Sequence, residues 1–214
     1  MNGNSDVAVL TVGGLRFQHP GQAALFDDWS VRVPPGITLV RGGESRGKTS
    51  LLRLLAGDLT AQAGRLQINR VTLGEPGNAY RRQVFRADTR SEAFDRLSPL
   101  DYLASLGAHH AGFDPQAVAP LLAGLSLAEH QHKPLYMLST GSKRKVWLAA
   151  AFACGAPLTL LDEPFAALDK ASIRFVIERL ATEAAQPHSR RAWLIADYAA
   201  PDAVPLAAVI DLGD

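Results

Sequence analysis

Residues 42–49 form a glycine-rich stretch that fits the pattern G-x-x-x-x-G-K-[ST]. Backbone N–H groups of such a loop point inward around phosphate oxygens, and the helix that follows adds its N-terminal donors. Lys48 would place a cation at the outer phosphates, and Thr49 would offer a hydroxyl to Mg²⁺. The residues that this motif predicts to hold a nucleotide are Gly42, Gly43, Glu44, Ser45, Arg46, Gly47, Lys48, Thr49 and Ser50.

A second candidate site lies at the end of the apolar run at residues 158–161, where Asp162 and Glu163 follow. Burial of that run as a strand would fix its end at the phosphate side of a parallel sheet. Asp162 would then hold Mg²⁺, and Glu163 would orient and polarise the attacking water as a general base. Two acids at a strand end also suit an ordinary solvated turn, so the neighbouring motifs must decide.

Two further motifs flank this pair of acids. Residues 138–142 read LSTGS and open a predicted helix, and residues 164–169 bring a proline and then ALD. The order of these motifs resembles the ATP-binding subunits of ABC transporters, with Walker A, signature, Walker B and D-loop in turn. The resemblance covers nearly the whole chain, and the order of motifs is more specific than any single one. It implies ATP and Mg²⁺ as cofactors.

The resemblance also implies two protein partners. In ABC proteins the signature end of its helix caps the γ-phosphate held by the Walker A loop of a second ATP-binding subunit, a role that falls here to Ser139 and Gly141. The working unit would then be a head-to-tail dimer, homomeric or heteromeric, with ATP at its interface. Ser139 suits a plain helix N-cap equally well, and the two roles are compatible. A separate integral-membrane transporter subunit would be driven by ATP hydrolysis.

Several positions depart from the family pattern in ways that bear on hydrolysis. Arg86 stands where the family has the Q-loop glutamine, and a guanidinium has only donors, so Asp88 is the candidate that offers an oxygen to Mg²⁺. Tyr198 takes the place of the H-loop histidine. We expect it to act beside Glu163 by donating from its phenol to the γ-phosphate. His19 takes the place of the aromatic residue, usually tyrosine, that stacks on adenine.

The phosphate loop departs as well, because Glu44-Ser45 resembles the loop of RecA-type recombinases. A carboxylate at Glu44 is unfavourable near phosphates unless it turns away or meets Arg46. Three functions therefore stay open: an ABC transport ATPase, a degenerate ABC subunit that binds ATP with little hydrolysis and regulates a partner, and a soluble P-loop ATPase. The motif order after Gly141 disfavours RecA, and a formal net charge of +1 gives no support to nucleic acid as a partner.

Composition and patterning predict the fold that must position these residues. The chain has 214 residues, 47% of them hydrophobic, which suits one domain of ordinary size. The predicted class is α/β, with a P-loop NTPase core, an N-terminal antiparallel β portion and a helical subdomain. The patterning predicts short N-terminal strands at residues 7–12, 15–17, 23–26 and 29–33, and helices at residues 48–56, 98–108, 115–123, 142–153 and 170–184. We expect residues 1–87 to form the ATP-binding core with Walker A, residues 88–155 the helical subdomain with the signature, and residues 156–214 the rest of the core.

The expected location is cytoplasmic, peripheral on the inner face of the cell membrane. Cys154 is the one cysteine, so an internal disulfide is impossible and a reducing compartment is the simplest. The N-terminus lacks the pattern of a signal peptide, and no apolar run is long enough to span a bilayer. The chain also lacks the C-terminal regulatory extension of many importer subunits, which favours a compact exporter subunit.

Overall fold

A computed structural model describes residues 8–87, 91–186 and 189–213. Asp88, the predicted Mg²⁺ ligand, lies outside these ranges. The strands and α-helices in chain order are β1 (Leu10–Gln18), β2 (Ala24–Val33), β3 (Gly36–Arg41), α1 (Lys48–Ala56), β4 (Ala63–Ile68), β5 (Val71–Thr72), β6 (Val84–Arg86), α2 (Pro99–Ser105), α3 (Val118–Gly124), α4 (Thr140–Ala153), β7 (Leu158–Asp162), α5 (Lys170–Ala184), β8 (Ala192–Ala196) and β9 (Ala208–Asp211).

The N-terminal strands form a four-stranded antiparallel sheet in the order β2-β1-β4-β5. Here the prediction of short strands at residues 7–12, 15–17, 23–26 and 29–33 is wrong, because β1 and β2 each run on as one strand. The pairing shifts register between Val12 and Leu15. Gly14 and Asp28 have positive φ angles of 61° and 55°. Such residues let a strand bulge and continue, where the sequence pattern suggested that it ended.

The second sheet contains five parallel strands in the order β6-β7-β8-β3-β9. Its register pairs Ala196 with Val40 of β3 and with Asp162 of β7. The carboxyl ends of these three strands therefore lie side by side. β3 leads into the phosphate loop, β7 ends at Asp162, and β8 ends two residues before Tyr198. The topology thus brings the phosphate loop, Asp162 and Tyr198 to one edge of the sheet.

Apolar layers cover both faces of the parallel sheet, as expected for strands that are hydrophobic throughout. One layer packs α1 and the antiparallel sheet against the face that carries Val40, Leu158, Leu160 and Leu194. The other layer packs α2 to α5 against the face that carries Ile37, Leu161, Trp193 and Ile195. Residues 145–153 of α4 are buried all round, because this helix lies between the sheet and its neighbouring helices.

The first two helices of the middle region, α2 and α3, are shorter than the sequence pattern predicts, whereas α4 begins two residues before its predicted start at residue 142. The stretches expected to be helical at residues 98–108 and 115–123 are divided between α2 and α3 and short 3₁₀ turns at Leu106–Ala108 and Pro115–Ala117. Gly107, a weak helix former, lies in the first of these turns. By contrast, α1 has the predicted bounds, and Gly57 ends it with a left-handed φ of 79°. The division of the chain into core and helical subdomain stays a prediction.

Candidate nucleotide-binding site

The phosphate loop between β3 and α1 is shaped by its glycines. Gly47 is the N-cap of α1 and has a φ of 89°. This left-handed conformation favours glycine, and a Cβ added there would lie 2.7 Å from a methyl carbon of Leu25, whose side chain would have to move. Lys48 Nζ donates to the carbonyl oxygens of Gly42 at 2.6 Å and Gly43 at 2.9 Å. The ammonium group is therefore held over the loop, where a phosphate would compete for it.

The two oxygen donors expected to bind Mg²⁺ meet directly. Thr49 Oγ1 donates to Asp162 Oδ2 at 2.7 Å, which joins the first turn of α1 to the end of β7. Glu163 follows with a φ of 46°, and its N–H donates to the carbonyl oxygen of Ala196 at 2.9 Å. Adjacent hydroxyl and carboxylate oxygens are hard ligands of the kind that Mg²⁺ prefers. The residues present therefore fit this metal ion.

Tyr198 packs on the phosphate loop. Lys48 Nζ lies 4.7 Å from the centre of its ring, and its Oη donates to Glu44 Oε1 at 3.4 Å. Partial removal from solvent, followed by the nearby carboxylates of Glu44, Glu163 and Asp197, raises the pKa of Tyr198 above its usual value. The phenol therefore keeps its proton at neutral pH and is a hydrogen-bond donor. The partner that the structure gives Glu44 is Tyr198, where the sequence suggested Arg46.

His19 lies at the other end of the loop. Its Nε2 is 2.9 Å from Ser50 Oγ, and its ring meets Phe17 edge to face at 4.7 Å between centroids. The loop and its neighbours surround an open cleft of about 720 Å³, a volume that suits a nucleotide. The described residues that line this nucleotide cleft are His19, Pro20, Gln22, Leu25, Glu44, Ser45, Arg46, Gly47, Lys48, Thr49, Ser50, Glu163 and Tyr198.

The LSTGS segment, residues 138–142, lies at the start of α4 and outside the described lining of this cleft. Ser139 is the N-cap, and its Oγ accepts from the N–H of Ser142 at 3.1 Å, as predicted. A Cβ at Gly141 would lie 2.8 Å from the carbonyl oxygen of Ala167, so the start of α4 touches the ALD segment. Among the described residues that line the nucleotide cleft, neither Ser139 nor Gly141 occurs.

Charged side chains fix α4 to the ALD segment. Lys145, which is buried, donates to Asp169 Oδ2 at 2.5 Å, and Arg144 donates to the carbonyl oxygen of Ala166 at 3.0 Å. Asp169 also caps α5 by accepting from the N–H of Ser172 at 2.9 Å. The hydrogen bond from Lys145, and then that from Ser172, hold the pKa of Asp169 well below its usual range. The acid is therefore ionised and joins two helices.

Comparison with known proteins decides the family. The family model described as ABC transporter matches residues 26–166 of the chain. The chain belongs to the ABC transporter family. It is 35% identical, over 73% of its length and 75% of the relative's, to the cytochrome c biogenesis ATP-binding export protein CcmA of Pseudomonas fluorescens. It is also 34% identical, over 76% of its length, to the taurine import ATP-binding protein TauB of the same species, of which it covers 62%.

Solved structures of ABC proteins share the fold of this chain. An ATP-binding subunit of an ABC transporter superposes with a TM-score of 0.77 over 89% of the chain and 79% of that structure, at 23% identity. An ABC transporter ATP-binding protein from Pyrococcus furiosus superposes with a TM-score of 0.73 over 95% of the chain and 96% of that structure, at 18% identity. The predicted α/β P-loop fold is thereby confirmed. Family membership removes the RecA-type alternative.

Sequence reasoning missed a second cleft of this ABC subunit. Its volume is about 400 Å³, and it shares Thr49 and Glu163 with the nucleotide cleft. Arg53, Arg86 and Arg144 are among its walls. Arg86, which the sequence predicts to take the Q-loop position, places Nε 2.6 Å from Asp58 Oδ2. The signal that could have located this cleft is the position of Arg86 at the carboxyl end of a strand beside β7.

The structure gives no indication of a membrane-spanning segment within the ranges that it describes. None of the helices found there combines the length and the apolar composition needed to cross a bilayer. The family match and the curated relatives make the chain an ATP-binding subunit of an ABC transporter.

Proposed function

We propose that this subunit binds Mg-ATP in the nucleotide cleft and hydrolyses it to drive a separate integral-membrane transporter subunit in export. The observation that carries the proposal is the 2.7 Å hydrogen bond between Thr49 and Asp162, beside a cleft that Lys48 and Glu163 also line. A metal-binding pair, a phosphate-binding cation and a general base thus lie together. This is the combination that phosphoryl transfer to water requires.

Four residues at or beside the cleft, Lys48, Thr49, Asp162 and Glu163, have defined tasks in this proposal. Lys48 would exchange the carbonyl oxygens of Gly42 and Gly43 for oxygens of the outer phosphates. Thr49 and Asp162 would hold Mg²⁺, which when bound neutralises charge on the phosphate oxygens. Glu163 would orient the attacking water and accept its proton, while the water oxygen bonds to the γ-phosphorus and ADP leaves.

The two rings at the cleft would contact opposite parts of the nucleotide. Tyr198 stays protonated, so it would donate from its phenol to the γ-phosphate. His19 is positioned by Ser50 Oγ at 2.9 Å and would meet the adenine base. With a smaller ring than tyrosine, it offers the base less surface for stacking. Asp88 is retained as a further proposed source of oxygen for Mg²⁺.

The proposal includes a head-to-tail dimer, formed with a second copy or a related subunit. Ser139 and Gly141 are set at the start of α4 and do not belong to the described lining of the nucleotide cleft of their own chain. Free N–H groups at such a helix start suit a phosphate held by a second subunit. Lys145 and Asp169 would keep this start in a fixed position against the D-loop.

The direction of transport and the location rest on relatives. The cytochrome c biogenesis relatives carry the word export in their names and are 35% and 37% identical to the chain, whereas the taurine relative is named for import and is 34% identical. We infer export, with the subunit on the inner face of the cell membrane beside its transporter. A second candidate function, ATP binding with little hydrolysis, is favoured by Arg86 and Tyr198 in the Q-loop and H-loop positions.

Steady-state phosphate release from ATP tests the proposal. The wild type should release phosphate with Mg²⁺ and stop when the metal is chelated, because Thr49 and Asp162 carry no positive charge of their own and would act only by holding the ion that neutralises the phosphate oxygens. Lys48→Met should lose nucleotide binding, and Glu163→Gln should keep binding while turnover falls by about 100-fold or more. Binding without Mg²⁺-dependent release in the wild type would favour the second candidate function for the isolated subunit.

A further inference from the structure

Glu44 and Tyr198, two residues at which the nucleotide cleft departs from the family pattern, contact each other. Tyr198 Oη is 3.4 Å from Glu44 Oε1, although the residues are 154 positions apart in the chain. The ring of Tyr198 also lies 4.7 Å from Lys48 Nζ. We call these three residues the Lys48–Tyr198–Glu44 cluster. They connect the start of the phosphate loop to the end of the adjacent strand β8.

Within the cluster, the ammonium group of Lys48, which would bind the outer phosphates, already has other partners. Lys48 Nζ has two carbonyl oxygens as hydrogen-bond acceptors and the face of the Tyr198 ring as a further partner. A phosphate oxygen that bonds to this ammonium group must replace some of these contacts. The ring–cation contact therefore opposes nucleotide binding unless Tyr198 gains an equivalent contact in exchange.

Only a triphosphate offers the phenol of Tyr198 a new hydrogen-bond acceptor in place of the contacts that it loses. The loop runs from Glu44, which Tyr198 contacts, to Ser50, which His19 contacts at 2.9 Å. Tyr198 also lines the nucleotide cleft together with Glu163, the general base of the proposed hydrolysis. Tyr198 therefore belongs to the terminal-phosphate side of the cleft. A diphosphate bound to Lys48 displaces the ring but presents no third phosphate for the phenol.

We propose that the Lys48–Tyr198–Glu44 cluster makes this subunit discriminate ATP from ADP by penalising the diphosphate. This inference rests on the proposed nucleotide site and adds a specificity-determining role for Tyr198. With ATP, the phenol exchanges Glu44 for the terminal phosphate, so the lost contacts are replaced. With ADP, the contact with Lys48 is lost without replacement. The cluster thus favours release of ADP and entry of ATP.

Equilibrium binding of Mg-ADP and of the non-hydrolysable analogue adenylyl-imidodiphosphate, measured by titration calorimetry, tests the inference. Tyr198→Ala should tighten ADP binding by about two- to fivefold, the factor that an exposed cation–π contact supplies, and should change analogue binding by less than about twofold. Tyr198→Phe keeps the ring and removes the donor. It should leave ADP binding within about twofold and weaken binding of the analogue.

The two variants also control for each other. Tyr198 is 58% exposed, so both should melt near the wild-type temperature, and Tyr198→Phe keeps the shape of the side chain. Unchanged ADP affinity in Tyr198→Ala, or equal weakening of both ligands in Tyr198→Phe, would overturn the inference while leaving the nucleotide site intact. A wild type that binds neither ligand would overturn the proposed function and this inference together.

Discussion

Arg191 provides the sharpest prediction about what holds the amino end of β8 in place. Its guanidinium lies 3.2 Å from Glu183 Oε2 of α5 and donates from Nε to the carbonyl oxygen of Ala156 at 3.1 Å. The ring of Trp193 lies 4.8 Å away. The side chain of Glu183 is only 4% exposed, so its carboxylate depends on Arg191 as its charged partner. Arg191 thereby fixes the residue that precedes β8 to the end of α5.

Arg191→Met should destabilise the fold strongly, because it removes the charged partner that the described part of the chain gives the buried carboxylate of Glu183. Loss of one member of a buried ion pair costs about 3–5 kcal/mol in the free energy of unfolding. Each kcal/mol lowers the melting temperature by about 2–4 °C in a domain of roughly this size. We therefore expect Tm to fall by about 6–20 °C, measured by circular dichroism with a repeat scan to establish reversibility.

The chain offers a matched control in the pair between Arg174 and Glu178. These side chains are 78% and 66% exposed and lie 3.9 Å apart on one face of α5. Arg174→Met should cost no more than about 0.5 kcal/mol, or about 2 °C. In the double variant Arg191→Met/Glu183→Gln, part of the lost stability should return, because the unpaired charge is gone. Equal small shifts in Arg191→Met and Arg174→Met would refute this reasoning.

Two further predictions follow from the pKa shifts. Burial raises the pKa of Cys154 to about 11. At pH 8 a disulfide reagent should therefore leave the thiol of the native protein unmodified and label one thiol per chain in urea. Rapid labelling of the native protein would contradict this. The hydrogen bond from Lys145 lowers the pKa of Asp169 in the folded protein. The contribution of Asp169 to the stability of the fold is therefore present above its unfolded pKa of about 4 and is lost as the pH falls through its folded pKa. Asp169→Asn, which retains an N-cap residue, should therefore flatten the loss of unfolding free energy on acidification below about pH 4; an unchanged slope would count against this pairing.

The sequence predicted elements well where a local signal sets both ends. Gly57 ends α1 with a left-handed residue, and Asp169 caps the first turn of α5, so both helices have their predicted bounds. The strand boundaries before residue 33 failed because Gly14 and Asp28 look like turn residues. Only pairing with a neighbouring strand shows that they are bulges.

The sequence predicts those site residues whose positions follow from the ends of parallel strands. Thr49 and Asp162 were expected to share Mg²⁺, and the structure brings them to 2.7 Å because β3 and β7 end at the same sheet edge. The contact of Tyr198 with Lys48 and Glu44 was not predictable, because it depends on a side-chain rotamer across distant parts of the chain. The assignment of roles to these residues remains a prediction.

Single turnover of radiolabelled ATP by the wild type and Glu163→Gln tests the central claim most directly. Each protein is mixed with less than one equivalent of Mg-ATP, and the bound nucleotide is separated over time. We expect labelled phosphate from the wild type and intact ATP on Glu163→Gln, because the variant keeps Lys48, Thr49 and Asp162 but lacks the base. Equal conversion of ATP by both proteins would contradict the role of Glu163.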